Sequence, residues 1–182
     1  MQAIAIAREP SFDGHLFLKA VQRGIFGKPL TAAQRAGCLA LLERGQARPL
    51  SCPRAFAYAL ATATWETGGR MLPLEENTDS TFRGRGFVCA SGEDFYARAS
   101  ALCGVDLVAE PDKLLDPATA ADVLLAGLES GAFTGESIAS YFIEGGIDWV
   151  GARRAVGDMT EAHRVAALAR AYWVALQGSQ VH

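Results

Sequence analysis

The chain has 182 residues, half of them apolar and 20% charged, which fits one domain over residues 1–182 with ample material for a core. Its formal net charge of −3 excludes the basic footprint that nucleic-acid binding needs. No apolar run approaches the roughly 20 residues that cross a bilayer, so no membrane-spanning segment is expected.

The N-terminal stretch MQAIAIAREPSFDG has no basic region ahead of a long apolar run, and it therefore does not resemble a secretory signal peptide. We expect the protein to be made in the cytoplasm. Work on a cell wall would then require lysis, a holin or another export route.

Two amphipathic helices are predicted next. In SFDGHLFLKAVQRGIF, either Ser11 or Asp13 caps a helix. Its apolar face is expected to hold Leu16, Phe17, Ala20 and Val21. TAAQRAGCLALLERG then begins at Thr31, a good N-cap, and ends near Gly45.

The third predicted helix, SCPRAFAYALATATWETGG, has Ser51 as its cap candidate and Pro53 in its first turn. The pair Gly68 and Gly69 ends it. Residues 68–92 are the least regular part of the chain, and the glycine-flanked stretch RGFVCAS is the best strand signal, although it is short. Loops on a helical scaffold often carry functional sites.

Two further helices complete the pattern. DPATAADVLLAGLESG has Asp116 as cap, Pro117 at the first position and Gly131 as the stop. TEAHRVAALARAYWVALQG is a long final helix capped by Thr160. Its core stripe is expected to be Val165, Leu168, Ala169, Tyr172 and Leu176. The sequence thus predicts a mostly α fold with at most a minor β element.

Three carboxylates surround the glycine-rich end of the third helix. Glu66 lies in its last turn, where the helix dipole is negative, and Trp65 adds an apolar neighbour; both favour a protonated acid. Glu75 and Glu76 follow in a polar stretch, where a carboxylate should stay ionised. Two carboxyl groups whose pKa values are shifted in opposite directions are typical of glycoside hydrolysis. Solvated surface carboxylates at a helix end would give the same sequence pattern.

Other chemistries have weaker support. The cysteines Cys38, Cys52, Cys89 and Cys103 form no CxxC pair, and with only three histidines no zinc site is expected. Buried free thiols are the simpler interpretation of these cysteines. The aromatic residues Trp149, Trp173 and Phe133 are predicted to be core rather than sugar platforms.

The stretch AYALATATWETGGRMLPLEEN and the later segments FRGRGFVCAS, GVDLV, LDP and SYFIEGGIDWVGARRAVGD occur in an order that resembles glycoside hydrolase family 19. The likeness covers roughly residues 12–177. It is strongest to phage-type endolysins and short chitinase-like proteins. The family implies a lysozyme-like, two-lobed helical fold with a central cleft, and it implies cleavage of β-1,4 bonds in peptidoglycan or chitin, generally with inversion and without a cofactor.

The resemblance also implies roles for individual residues. Glu66 would be the general acid, and Glu75 the general base that polarises a water, with Glu76 as a one-residue alternative. Ser91 matches a residue that helps place this water. Glu76, Trp65 and Tyr96 are further candidates for substrate contact, whereas Arg85 is expected to brace the cleft.

The sequence departs from the family where the family contacts sugar. Trp65 replaces a histidine and Phe82 a tyrosine. The family's Gln-Leu-Thr/Ser, Asn-Tyr and Asn-Gly segments become Cys89-Ala90-Ser91, Phe95-Tyr96 and Gly157-Asp158. Both acids are kept while several amides are lost. The main hypothesis is therefore a cell-wall glycan hydrolase, an endolysin or muramidase-like enzyme, and the alternatives are a chitinase or a non-catalytic module that binds glycan or a protein partner.

Overall fold

Six α-helices and three two-stranded β-ladders make up the computed structural model, which describes residues 11–48, 50 and 52–181. The helices are α1 (Gly14–Val21), α2 (Ala32–Ala47), α3 (Pro53–Glu66), α4 (Glu93–Cys103), α5 (Pro117–Ser130) and α6 (Ala162–Gln177). A π-helical turn, Gln22–Phe26, continues α1, and short 3₁₀ turns lie at Pro111–Leu115, Ile138–Tyr141 and Gly151–Ala155. The predicted fold class, mostly α with minor β elements, is confirmed.

Each ladder pairs two antiparallel dipeptides. β1 (Ser11–Phe12) pairs with β6 (Gln180–Val181) and joins the two ends of the described chain. β2 (Leu74–Glu75) pairs with β3 (Arg85–Gly86), and β4 (Phe142–Ile143) with β5 (Gly146–Ile147). The predicted strand in RGFVCAS is thus reduced to β3 and a single bridge from Arg85 to Ala90.

The first two helices begin as the sequence predicts but differ in detail. Asp13, rather than Ser11, caps α1 by accepting a hydrogen bond from the Leu16 amide. Leu16 itself is 43% exposed, so its predicted place in the apolar face is wrong. Thr31 and Gln34 form a capping box at the start of α2. α2 ends at Ala47, two residues past Gly45, near which its end is predicted. Gly45 itself lies inside the helix, where a side chain would overlap the ring of Phe56.

α3 is the central helix of the molecule. Every residue from Ala55 to Thr64 is buried, so the helix is covered on all sides. Its cap is Cys52, whose sulfur accepts from the Ala55 amide; Ser51, the predicted cap, lies outside the described residues. The predicted stop is confirmed, since Gly68 and Gly69 both adopt positive φ after the last turn. The alanine-rich surface lets α6 pack closely along α3.

Two hydrophobic clusters divide the core. The larger contains α3, α6 and parts of α1, α2 and α5. The smaller is built on α4 and includes Phe95, Tyr96, Leu107 and Leu114. Phe133, which follows α5, packs against both clusters. The two helical parts of the fold, one built around each cluster, therefore meet near the C-terminal end of α5.

The last two helices mostly follow the prediction. Asp116, Pro117 and Gly131 bound α5 as expected. The N-cap of α6 is Glu161 rather than Thr160. Its predicted core stripe is buried apart from Leu168, which is half-buried. Among the aromatic residues predicted to be core, Trp149 is buried, whereas Trp173 and Phe133 are half-buried. Within the described residues, no helix is long and apolar enough to cross a membrane.

Candidate active site

Glu66 lies in the last turn of α3 with 24% of its side chain exposed. Its Oε1 accepts a hydrogen bond of 2.7 Å from Nη1 of Arg153, which stands on the 3₁₀ turn Gly151–Ala155. Arg153 is buried, and its Nε donates to the Asp158 carbonyl oxygen at 3.1 Å. The predicted acid is thus held in an ion pair rather than in a purely apolar environment.

A groove of about 290 Å³ runs past Glu66 between the two hydrophobic clusters. Its polar lining includes Ser91 and Asp158 beside the ion pair, and one apolar wall is formed by Phe95 and Phe133. The two rings are stacked with their centroids 5.9 Å apart. Phe95 borders the groove without filling it. The structure therefore brings Glu66 and Ser91 together in one open site, as the sequence suggested.

Glu75 lies on the neighbouring hairpin of β2 and β3, and it is not among the described residues that line this groove. Its Oε1 accepts from Nε of Arg83 at 2.8 Å and from Nε of Arg85 at 3.1 Å. The hydrogen bond from Arg83 is the main cause that holds the pKa of Glu75 below its ordinary value, and the charges of both arginines add to it. Glu75 is therefore ionised at neutral pH, as predicted.

Arg85, which was expected to brace the cleft, is not among the described residues that line the groove; it links the β2–β3 hairpin to the smaller cluster. It is buried, and it donates to Glu75, to Asp112 at 2.8 Å and to the Tyr96 hydroxyl at 3.0 Å. Tyr96 is fully buried, and its hydroxyl donates in turn to the Arg83 carbonyl oxygen. The expectation that Tyr96 contacts substrate is therefore wrong, because its ring is enclosed and its hydroxyl is used inside the protein.

Glu76 takes a different position from Glu75. Its Oε2 accepts from the Gly84 amide at 2.8 Å. A Cβ added to Gly84 would lie within 3 Å of both the Glu76 carboxyl carbon and the Cys89 sulfur, so these two groups are close neighbours. Burial raises the pKa of the Cys89 thiol, and the charges of Glu76 and Glu66 raise it further. Cys89 therefore lies near both carboxylates and stays a neutral thiol at neutral pH.

Trp65 does not share the site with Glu66. It is half-buried, packs against the larger cluster and is not among the described residues that line the groove. Its side chain leaves the helix in a different direction from that of Glu66, since adjacent helical residues do not face the same way. A sugar-stacking or blocking role for Trp65 has no geometric support.

Sequence reasoning missed Arg153 as the partner of Glu66 and Phe133 as a groove wall. The ARR segment predicts either a brace that pairs with carboxylates or a solvated face, without naming Glu66; Arg153 forms such a pair, and Arg154 is exposed. The nearest sequence signal for a groove was the set of positions compared with the family, since the matching Ser91 and the differing Phe95 and Gly157-Asp158 all line it. No group of metal-ligating residues occurs in the described part of the chain.

Replacing Arg153 by glutamine is expected to lower the free energy of unfolding by about 1–3 kcal/mol, because Glu66 would stay partly buried without its charged partner. Urea unfolding measures this change. Arg154→Gln is the matched control, since Arg154 is the exposed neighbour. In the double variant with Glu66→Gln, much of the loss should disappear; an unchanged loss would mean that the ion pair is not its cause.

No protein-family model matches this sequence, and neither does any curated protein. Among solved structures, the chain is similar to a chitinase C that was crystallised as a mutant with glutamine in place of a glutamate. The TM-score is 0.49 and the sequence identity 18%, and the match covers 86% of this chain and 92% of that chain.

Proposed function

We propose that this protein is a cell-wall glycan hydrolase that cleaves β-1,4 glycosidic bonds of peptidoglycan by general acid/base catalysis with inversion. The observation that carries the proposal is the position of Glu66 at the end of α3, partly exposed in an open groove beside Ser91. A carboxyl group reaching into a groove between two helical parts is what protonation of a bound glycosidic oxygen requires.

In this mechanism Glu66 protonates the leaving oxygen, and Arg153 orients its carboxyl group through the hydrogen bond to Oε1. A second, ionised carboxylate polarises a water on the opposite face of the sugar. Inversion requires the two carboxyl groups to stand roughly 6.5–9.5 Å apart in the reacting complex. In this proposal Ser91, which lines the groove beside Glu66, holds the water. The reaction needs no cofactor.

Glu75 is proposed as the second carboxylate because its arginine partners keep it ionised. Glu75→Gln is expected to lower kcat by about 10²-fold, near the lower limit for a general base, and Glu76→Gln by less than about tenfold. The pKa of Glu75 lies below its ordinary value of 4.5. Lowering the pH should therefore reduce the wild-type rate with a midpoint below pH 4.5, where Glu75 becomes protonated. Rates on soluble glycan measured from pH 3 to 8 test both statements. The reverse order of the two variants would transfer the role to Glu76.

The test of the function is loss of turbidity in Gram-negative cells whose outer membrane has been permeabilised. Wild type should lyse them and Glu66→Gln should not, because glutamine keeps the shape and removes the proton donor. Glu43→Gln, on the exposed face of α2, removes the same charge elsewhere and should lyse normally. Failure of correctly folded wild type to lyse, or lysis by Glu66→Gln, would refute the hydrolase.

A non-catalytic glycan-binding module is the second candidate. Two observations favour it: Arg153 engages one oxygen of the proposed acid, and the groove is lined by Phe95 and Gly157-Asp158 where the family has amides. A module would bind glycan with no products formed.

Chitin is the alternative substrate, which assays on N-acetylglucosamine oligomers would reveal.

The site of action is part of the proposal. The protein would be made in the cytoplasm and would reach the wall through a holin or another export route. Its partner there is the glycan itself.

A further inference from the structure

A second cavity of about 690 Å³ lies next to the groove that holds Glu66. The linings of the two share Arg98, Ala132 and Phe133, so these residues form the wall between neighbouring spaces. The second cavity lies between the C-terminal half of α4 and the loop that follows α5. Its volume is in the range of roughly 300–1,000 Å³ that is typical of ligand sites.

Arg98 supplies the charge in this second cavity. Phe95 and Arg98 are three residues apart on α4 and therefore point to the same side of the helix, one turn after the other. Arg98 is exposed, and within the described residues it has no ion-pair partner. It is also the one charged side chain among the described residues that line the cavity.

The remaining lining is apolar or already hydrogen-bonded. Ala101, Leu102 and Ala132 contribute apolar surface. The hydroxyl of Ser130 donates to the Ala126 carbonyl oxygen, and that of Thr134 to the Arg154 carbonyl oxygen. A ligand here would therefore meet apolar surface and one guanidinium group. This combination suits a small aliphatic chain that carries a carboxylate.

We propose that this cavity binds the acidic peptide substituent of peptidoglycan while the glycan backbone occupies the groove at Glu66. The inference rests on the proposed function, which it deepens by assigning a site for the substituent. Chitin is neutral and bears no such group, whereas alternate sugars of peptidoglycan carry a peptide with carboxylates and alanyl methyl groups. Because the cavity and the groove share Phe133 and Arg98 in their linings, a substituent on a glycan bound in the groove has the cavity within reach.

Arg98 is exposed, so its contribution is modest: an exposed charge-assisted contact corresponds to a change in Kd of roughly two- to fivefold. The effect should shrink with added salt, since exposed charges are screened. Arg98 thus distinguishes peptide-bearing from neutral glycans and does not take part in the reaction. Its test is the ratio of the Kd values for these two ligands.

The experiment measures Kd by calorimetry in the Glu66→Gln background, which leaves the glycan uncleaved. The two ligands are a peptide-bearing tetrasaccharide of peptidoglycan and the neutral tetramer of N-acetylglucosamine. Adding Arg98→Gln should raise Kd for the peptide-bearing ligand about two- to fivefold more than for the neutral one. Arg35→Gln, an exposed arginine on α2, is the matched control and should leave the ratio unchanged.

Equal weakening of both ligands would overturn the assignment, because Arg98 would then be a general sugar contact. An unchanged ratio, or no binding of the peptide-bearing ligand to any variant, would also overturn it. The outcome is separate from that of the proposed function: a wild type that cleaves nothing, with an Arg98-dependent ratio, would refute the hydrolase and keep the peptide site.

Discussion

Glu66→Gln is expected to lower the rate of glycan cleavage by about 10²–10⁴-fold, the range that a positioned general acid contributes. This corresponds to about 3–5 kcal/mol of the activation free energy. Glutamine has nearly the same shape, and its carbonyl oxygen accepts the hydrogen bond from Arg153, so binding should be kept while the proton is lost. Release of reducing ends from purified peptidoglycan measures the rate.

Two comparisons separate this loss from misfolding. The thermal midpoint of Glu66→Gln should stay within a few degrees of wild type, and Glu43→Gln should keep the wild-type rate. A loss that appears in KM with kcat unchanged would indicate a binding role rather than proton transfer. A rate within threefold of wild type would exclude Glu66 as the acid.

Gly37→Ala is expected to lower the free energy of unfolding by about 3 kcal/mol, among the larger effects of a single substitution. Gly37 lies in α2, and a Cβ there would stand 1.9 Å from the carbonyl oxygen of Met71. Met71 cannot easily move, because its amide donates to the Thr67 hydroxyl and its φ is +55°. For a chain of this size the midpoint should fall by roughly 6–12 °C.

Gly24→Ala is the matched control, since a Cβ at Gly24 meets nothing within 4 Å. Removing a glycine from a helical turn should leave the midpoint unchanged or raise it slightly. Calorimetry of both variants checks the pair. The contact of Gly37 with Met71 also fixes the segment that follows Glu66. Gly37→Ala should therefore reduce activity even at temperatures below its new unfolding midpoint. An unchanged midpoint would show that α2 and this segment separate without cost.

The starts and ends of helices could be read from the sequence because they are settled by residues within a few positions of each other. The capping box of Thr31 with Gln34 and the sequence Asp116-Pro117 satisfy amides in the first turn of their own helices. Gly68, Gly69 and Gly131 supply the positive φ that ends a helix. Residues set by packing are harder to interpret. Gly45 lies inside α2, which ends two residues later, and its lack of a side chain serves packing against Phe56.

The sequence alone determined the mostly α fold and placed an acidic residue at the end of the central helix. These follow from apolar periodicity and from local capping. The tertiary structure decided which groups meet there, because contacts across a groove join residues far apart in the chain. Glu66 and Arg153 are 87 positions apart, and no local pattern couples them. Burial likewise decided that Tyr96 serves as a brace and that Phe133 forms a wall, since two hydrophobic clusters had to pack against each other before either environment existed.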